Sequence, residues 1–273
     1  MSLRTFQPIP PLQPYVTEIW DYQDLLGGNN LALSILPDTA TYLCFLYADP
    51  LTTAHQARIY TTRSGLAGFQ SFRSDLGGIG QISGVSARLT PWGLNVFRRG
   101  IVRDCAERRV DCRDIFPKYA VEEIEDHLAR IATAAGRAAY IQRFLLSVLN
   151  RDHADALVQA ACHALDHSHG NQPIAALARR LGLTERTLER RFQAHIGATP
   201  KKYARVVRLR NALLQRKQLG QWADVACAAG YYDQSHMIRD FQELYGLSPE
   251  AIYPQLQASR TLAFSGLMNL YGM

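Results

Sequence analysis

The feature that most restricts this chain is an internal repeat in its last third. Leu188 and Phe192 recur 49 residues on as Met237 and Phe241, and Arg190 recurs as Arg239. Gly197-Ala198-Thr199-Pro200 recurs as Gly246-Leu247-Ser248-Pro249, and Leu177-Ala178 has its counterpart in Val225-Ala226. The turn is one residue longer in the second copy, Gly230-Tyr231-Tyr232-Asp233 against Gly182-Leu183-Thr184. A glycine after an apolar-periodic segment marks a helix stop, and Ser/Thr followed by Pro marks a capped start. Each copy therefore predicts helix, turn, helix, the helix-turn-helix pattern. Thr184 and Asp233 are placed to cap the second helix of each copy.

At about 100° per residue, Leu188 and Phe192 point into the bundle while Arg186, Glu189, Arg190 and Gln193 point away. The repeat puts Met237 and Phe241 inside, and Gln234, Ser235, Ile238, Arg239 and Gln242 on the other side. Arg and Gln projecting from an exposed helix can bond base edges in a major groove, which is just wide enough to admit a helix. An outward arginine fits plain solvation as well; its recurrence in both copies favours base reading. Between the copies runs a predicted helix, Pro200–Arg216, about 25 Å long and with no internal Gly or Pro to bend it. Lys201, Lys202, Arg205 and Arg208 near its start, with Thr184, are candidates for phosphate contact. That spacer should set the two reading helices roughly one DNA turn apart, ~34 Å.

Charge agrees with this division. Residues 1–170 hold 16 Lys/Arg against 17 Asp/Glu, whereas residues 171–254 hold 13 against 7. The excess behind the net charge of +6 thus lies in the repeat region, apart from Arg260. Such asymmetry suggests a nucleic-acid-binding or membrane-surface unit joined to a neutral partner.

The first part of the chain reads as β. Tyr15–Tyr22, Leu31–Leu36, Thr41–Tyr47, Arg58–Thr62 and Gln81–Leu89 are short runs rich in Tyr, Ile, Leu and Val, separated by Gly27-Gly28-Asn29-Asn30, Pro37-Asp38 and Gly77-Gly78. They predict a small barrel or sandwich. Helices follow at Trp92–Arg99, Val121–Ala132 and Ala138–Leu149. The last carries an apolar stripe of Ile141, Phe144, Leu145 and Val148, which suits packing on the strands and, as an alternative, a second subunit. The fold class is α+β. Residues 1–150 form a β-rich effector-binding or dimerisation domain, 151–257 a domain of seven helices, and 258–273 a tail.

The composition, 47% apolar and 20% charged, is that of a soluble globular chain. The longest apolar stretch, Leu31 to Ala48, is broken by Pro37 and Asp38, so no membrane partner is expected. Met1–Pro14 has four prolines and no apolar core of a secretory signal. Five cysteines without a C-x-x-C pair do not suit a disulfide scaffold or a Cys-rich zinc module, and a cytoplasmic location is expected.

The stretch Ile174 to Phe192 (IAALARRLGLTERTLERRF) closely resembles the first helix-turn-helix of the AraC/XylS transcriptional regulators. Asp224 to Phe241 (DVACAAGYYDQSHMIRDF), followed by Gly246-Leu247-Ser248-Pro249, resembles the second. The likeness implies a bacterial, sequence-specific regulator rather than an enzyme. Its two motifs would be joined by one long helix, with Arg190 and Arg239 at the base-reading positions. Pro14-Tyr15-Val16, Leu36-Pro37-Asp38 and Gly84-Val85-Ser86-Ala87-Arg88 resemble, more weakly, the β-rich N-terminal domain of some members. The resemblance implies double-stranded DNA as partner and no cofactor. It leaves open RNA polymerase, a small-molecule effector and a homodimer. One departure is local: where the family's closing motif has Tyr, Ile252 stands here, with Tyr253 beside it, which puts the packing of the last helix in question.

Rival chemistries can be weighed on their residues. A cupin-type metal oxygenase needs two or three His plus a carboxylate, and residues 1–150 hold only His55 and His127. Thiol alkyl transfer, known in a DNA-repair relative of the family, would need an activated cysteine. Cys105 and Cys112 have Arg103, Arg108, Arg109 and Arg113 nearby but no metal-ligand spacing. The main alternative is a DNA-binding metal or thiol sensor using Cys162, His163, His167 and His169, although polar residues at a helix end explain the same cluster. If the N-terminal domain holds an effector, Trp20, Tyr22, Tyr42, Phe45 and Tyr47, with Arg63 or Arg88 as anchor, are the candidates; strand aromatics suit a plain core equally well.

Overall fold

The β-rich part pairs into two antiparallel sheets. The computed structural model describes residues 2–24, 31–55, 58–78 and 80–258. Its strands are β1 (Ser2–Phe6), β2 (Val16–Gln23), β3 (Leu31–Ile35), β4 (Thr41–Leu46), β5 (Leu51–His55), β6 (Arg58–Thr62), β7 (Ser64–Ala67), β8 (Ser74–Gly78), β9 (Gly84–Leu89) and β10 (Arg109–Asp111). One sheet runs β1-β2-β9-β4-β7-β10 and the other β3-β8-β5-β6. The five expected strands form. β1, β5, β7, β8 and β10 are additional, and Gly77 and Gly78, read from sequence as a turn, lie within β8 opposite Ala32 and Leu31. Pairing along a neighbour overrides the local glycine signal, because the ladder satisfies the backbone groups there. The cluster Gly27–Asn30 lies outside the described residues.

Four helices cover the strands: α1 (Leu94–Phe97), α2 (Val102–Cys105), α3 (Lys118–Arg130) and α4 (Ala134–Val148). Thr133 caps α4 through the Gly136 amide. The stripe on α4 packs internally. Ile141 and Leu145 are fully buried, and Phe144 meets Phe45 and Phe116 edge-on at 5.8 and 5.2 Å. α4 is also fixed by Arg137, whose guanidinium donates to the buried Asp21 carboxylate at 2.5 and 2.9 Å.

Seven helices follow, as the glycine and cap pattern predicts: α5 (Ala156–His167), α6 (Ile174–Arg180), α7 (Glu185–His195), α8 (Pro200–Leu219), α9 (Trp222–Ala228), α10 (Gln234–Tyr245) and α11 (Pro249–Ala258). Two bounds differ from the sequence reading. Pro173 sits at the cap of α6 rather than inside its first turn. α8 runs three residues past Arg216, because its stop is the left-handed Gly220. Ile252 and Tyr253 are both buried, and Tyr253 meets Trp222 edge-on at 5.8 Å, so the departure from the family's closing motif leaves α11 packed.

One apolar core runs without a break from Leu12 to Val207, through both sheets, α3, α4 and the first helix-turn-helix unit. A second gathers Leu209 to Tyr253 of the second unit and takes in Leu36 from the β-rich part. The two halves of the chain are therefore joined by apolar packing as well as by a covalent link. No described helix is long and apolar enough to cross a membrane.

Candidate nucleic-acid interface

Each helix-turn-helix unit is built from short-range signals. In the first, α6 ends near Gly182 (φ +69°), and Thr184 accepts from the Thr187 amide at 3.1 Å to start α7. In the second, α9 ends near Gly230, and Asp233 accepts from the His236 amide at 2.6 Å to start α10. Gly230 is required twice over: its φ is +79°, and a Cβ there would lie 2.2 Å from the Asn171 side chain. The inner faces are shut. Leu188, Phe192, Met237 and Phe241 are fully buried, with Phe192 edge-on to Tyr203 and Phe241 edge-on to Trp222.

The opposite faces are open. Arg186, Glu189 and Arg190 on α7 are exposed, as are Ser235, Arg239 and Gln242 on α10; Gln193, Gln234 and Ile238 are half-buried. Among the described residues neither Arg186 nor Arg190 has an ion-pair or hydrogen-bond partner, while Arg239 Nε donates to the Ser235 carbonyl of its own helix at 3.3 Å. Two capped helices thus present guanidiniums at equivalent places, each backed by a buried apolar face.

The cations of α8 are arranged differently from the sequence expectation. Lys201 is exposed, with no partner among the described residues. Lys202 Nζ lies 2.6 Å from the Glu107 carboxylate, which also accepts from the Ser71 amide and hydroxyl. Arg205 is forked between Asp240 and Glu243 at 2.7 and 2.6 Å. These bonds hold the Arg205 guanidinium firmly in its charged form and pull the Glu243 carboxyl below its ordinary range. Arg208 donates to the Gly170 carbonyl at 2.8 Å, with its guanidinium over the Tyr231 ring. Three of the four cations read as phosphate contacts are therefore engaged inside the molecule.

Sequence reasoning missed the cation that binds the two halves. Arg210 Nη1 donates to Asp38 Oδ1 at 2.8 Å, and Arg88 holds the other carboxylate oxygen at 3.4 Å. Tyr42 hydroxyl donates to Asp38 as well. Burial alone would raise this carboxyl, but Arg210, Arg88 and the Tyr42 bond outweigh it and hold its pKa down. A further link joins α7: Asn95 Nδ2 donates to the Ala194 carbonyl at 3.2 Å and lies 2.9 Å from His195 Nδ1. Burial pushes His195 below the ordinary imidazole value.

The other candidates disperse. Cys162 is fully buried while His163, His167 and His169 are exposed, so consecutive helix positions face apart. Among the described residues no group of three His, Cys, Asp or Glu could hold a metal, which removes the metal-sensor alternative. Nor does that cluster suit a thiol sensor, since burial pushes the Cys162 thiol well up. Burial likewise pushes the Cys105 thiol up to about 12 and Cys112 well above its ordinary value, so neither is an activated nucleophile. The aromatic effector candidates are packed. Trp20 stacks on Tyr42, Phe45 meets Phe144, Tyr22 hydroxyl lies 2.9 Å from Cys44 Sγ, and Tyr47 lies under Arg137. Arg63 sits 3.8 Å from Glu125. Of those seven candidates, Arg88 alone lines a described cavity.

A family model described as a helix-turn-helix domain matches residues 177–253. No curated protein matches the chain. Among solved structures, ToxT from Vibrio cholerae is similar over 93% of this chain and 98% of its own, at 10% identity and a TM-score of 0.47. ToxT from Vibrio cholerae O395 bound to (E)-4-(8-methylnaphthalen-1-yl)but-3-enoic acid is similar over 94% and 100%, at 11% identity and 0.48. The AraC-like transcriptional activator CuxR is similar over 82% and 91%, at 13% identity and 0.25.

Proposed function

Since residues 177–253 are a helix-turn-helix domain of the AraC type, we propose that the chain is a transcription regulator that reads double-stranded DNA by sequence. In this reading α7 and α10 enter two successive major grooves. Arg186, Glu189, Arg190 and Gln193 meet one element, and Gln234, Ser235, Ile238 and Arg239 the other. The observation that carries it is the pair Arg190 and Arg239, exposed at equivalent places on two capped helices whose other faces are fully buried. Thr184 and Lys201 are exposed and can meet phosphate, and Lys202, Arg205 and Arg208 would do so only by leaving their internal partners.

Residues 1–150 are the modulating part, 151–257 the reading domain, and 258–273 a tail. The ion pairs Asp38–Arg210 and Glu107–Lys202 support modulation, because they tie the β-rich part to the helix that spaces the two reading helices. RNA polymerase and a second copy of the chain are the further partners of this reading.

Binding-site selection from random duplex DNA, followed by gel shift at two ionic strengths, tests the proposal. The expected result is an asymmetric motif of two elements whose affinity falls steeply with salt. Absence of salt-sensitive duplex binding overturns it.

A further inference from the structure

A cavity of about 580 Å³ lies where the two halves of the chain meet, within the size range of sites for small organic ligands. Its strand-side wall includes Arg88, Leu89 and Trp92; its helix-side wall includes His163, Arg210 and Asn211. Two donors on the helix side are unmet. Asn211 is 6% exposed, and its Nδ2 has no hydrogen-bond partner; Arg210 Nε is likewise without one. A buried donor left unmade bears the full cost of its desolvation, so native proteins rarely keep one unless something else fills the place.

The charges at this wall are also unequal. Arg88 and Arg210 share the single carboxylate of Asp38. The other carboxylate of the cavity, Asp166, already accepts from the Tyr203 hydroxyl at 3.0 Å. Two guanidiniums against one carboxylate leave room for a second anion, and a guanidinium holds an oxyanion better than a neutral acceptor. Opposite them the cavity offers flat and apolar surface: Leu89, Val207 and the Trp92 indole, whose ring centre lies 4.9 Å from that of His163.

We propose that this cavity binds a compact organic oxyanion, a carboxylate or a phosphate monoester. Its charged end sits on Asn211, Arg210 and Arg88, and its apolar body lies along Leu89, Trp92 and Val207. The ligand would meet Arg210 on the side away from Asp38, at the residue that clamps the β-rich part to α8. This gives the effector of the regulator reading a place, and rests on that reading only for its consequence at DNA.

The test measures ligand binding to the full chain by calorimetry without DNA, so a failure of DNA reading does not enter it. Phenylacetate and phenyl phosphate are titrated beside the neutral phenylacetamide. At least one of the two anions binds with a Kd of about 1 mM or tighter, and the amide about tenfold more weakly or not at all. The preferred anion distinguishes carboxylate from phosphate. Asn211→Leu keeps the volume and removes the donor, so it weakens the anion about tenfold without lowering the melting temperature of the free protein. Leu214→Trp, at a partly exposed position of the lining, fills the cavity and abolishes binding. The site is disproved by the absence of binding for both anions, by equal binding of the amide, or by wild-type affinity in both variants.

Discussion

Lys202 on the spacer helix places its ammonium 2.6 Å from the carboxylate of Glu107, a residue of the β-rich part. Glu107 is held there from both ends. Its amide donates to the Phe69 carbonyl at 2.8 Å and its carboxylate accepts from Ser71, while its backbone sits at a left-handed φ of 60°. A cation in a position suited to DNA phosphate is thus neutralised by the other half of the chain. Removing that carboxylate charge should release it. Glu107→Gln is expected to strengthen binding to all duplex sequences alike and to steepen the salt dependence by about 0.9 in the log–log slope, the value for one further phosphate neutralised. Fluorescence anisotropy at several salt concentrations reads this, and an unchanged slope would show that Lys202 faces away from DNA.

The exposed arginines should behave differently. Arg190→Ala and Arg239→Ala should each cost about 1–3 kcal/mol on the preferred site and flatten one position of the selected motif. Lys201→Ala, by contrast, should weaken every sequence by the same factor, because a phosphate contact carries no base information. Binding-site selection with the three variants separates the two kinds of loss.

Asp38 predicts an acid-side loss of stability. Its carboxyl is held below the ordinary value, so in mild acid the unfolded chain takes up this proton before the folded one does. The stabilisation is fully present above the unfolded pKa of about 3.9 and is lost as the pH falls through the folded pKa. Asp38→Asn should remove that part of the acid slope. It should also cost about 3–5 kcal/mol at neutral pH, since Arg88 and Arg210 lose their shared counter-charge. Urea unfolding across the acid range measures both, and a variant as stable as the wild type would mean that the arginines find water instead.

Geometry sets the last expectation. α8 has 20 residues, about 30 Å at ~1.5 Å each, and no internal glycine or proline. The second unit is also held to the β-rich part, through the Arg73 amide and the Leu244 carbonyl at 3.0 Å. The spacing of the reading helices should therefore be nearly fixed, with elements roughly 10 base pairs apart on one face of the duplex. Inserting five base pairs between the elements should abolish tight binding in a gel shift. Tight binding after that insertion would mean that one unit alone reads DNA.

The sequence by itself determined the helix-turn-helix repeat, because everything that builds it acts over a few residues. Gly182 and Gly230 stop their helices, Thr184 and Asp233 cap the next, and Leu188 and Phe192 recur at helical spacing. Such signals act through backbone conformation and hydrogen bonds between near neighbours, and they do not wait for tertiary contacts. The outward placement of Arg190 and Arg239 follows from the same periodicity. Tertiary structure alone decided which cations remain free. Arg205 finds Asp240 and Glu243, and Arg210 finds Asp38 at a separation of 172 residues. A basic residue on a helix shows the same local pattern whether it faces water, phosphate or a distant carboxylate. Strand pairing hid other features for the same reason: β8 absorbs a glycine pair because β3 and β5 lie beside it. Trp20, Tyr22 and Phe45 became core when the sheets and α4 closed over them. The cavity at Arg88, Arg210 and Asn211 exists only where strands and helices far apart in sequence meet, so no local pattern could announce it.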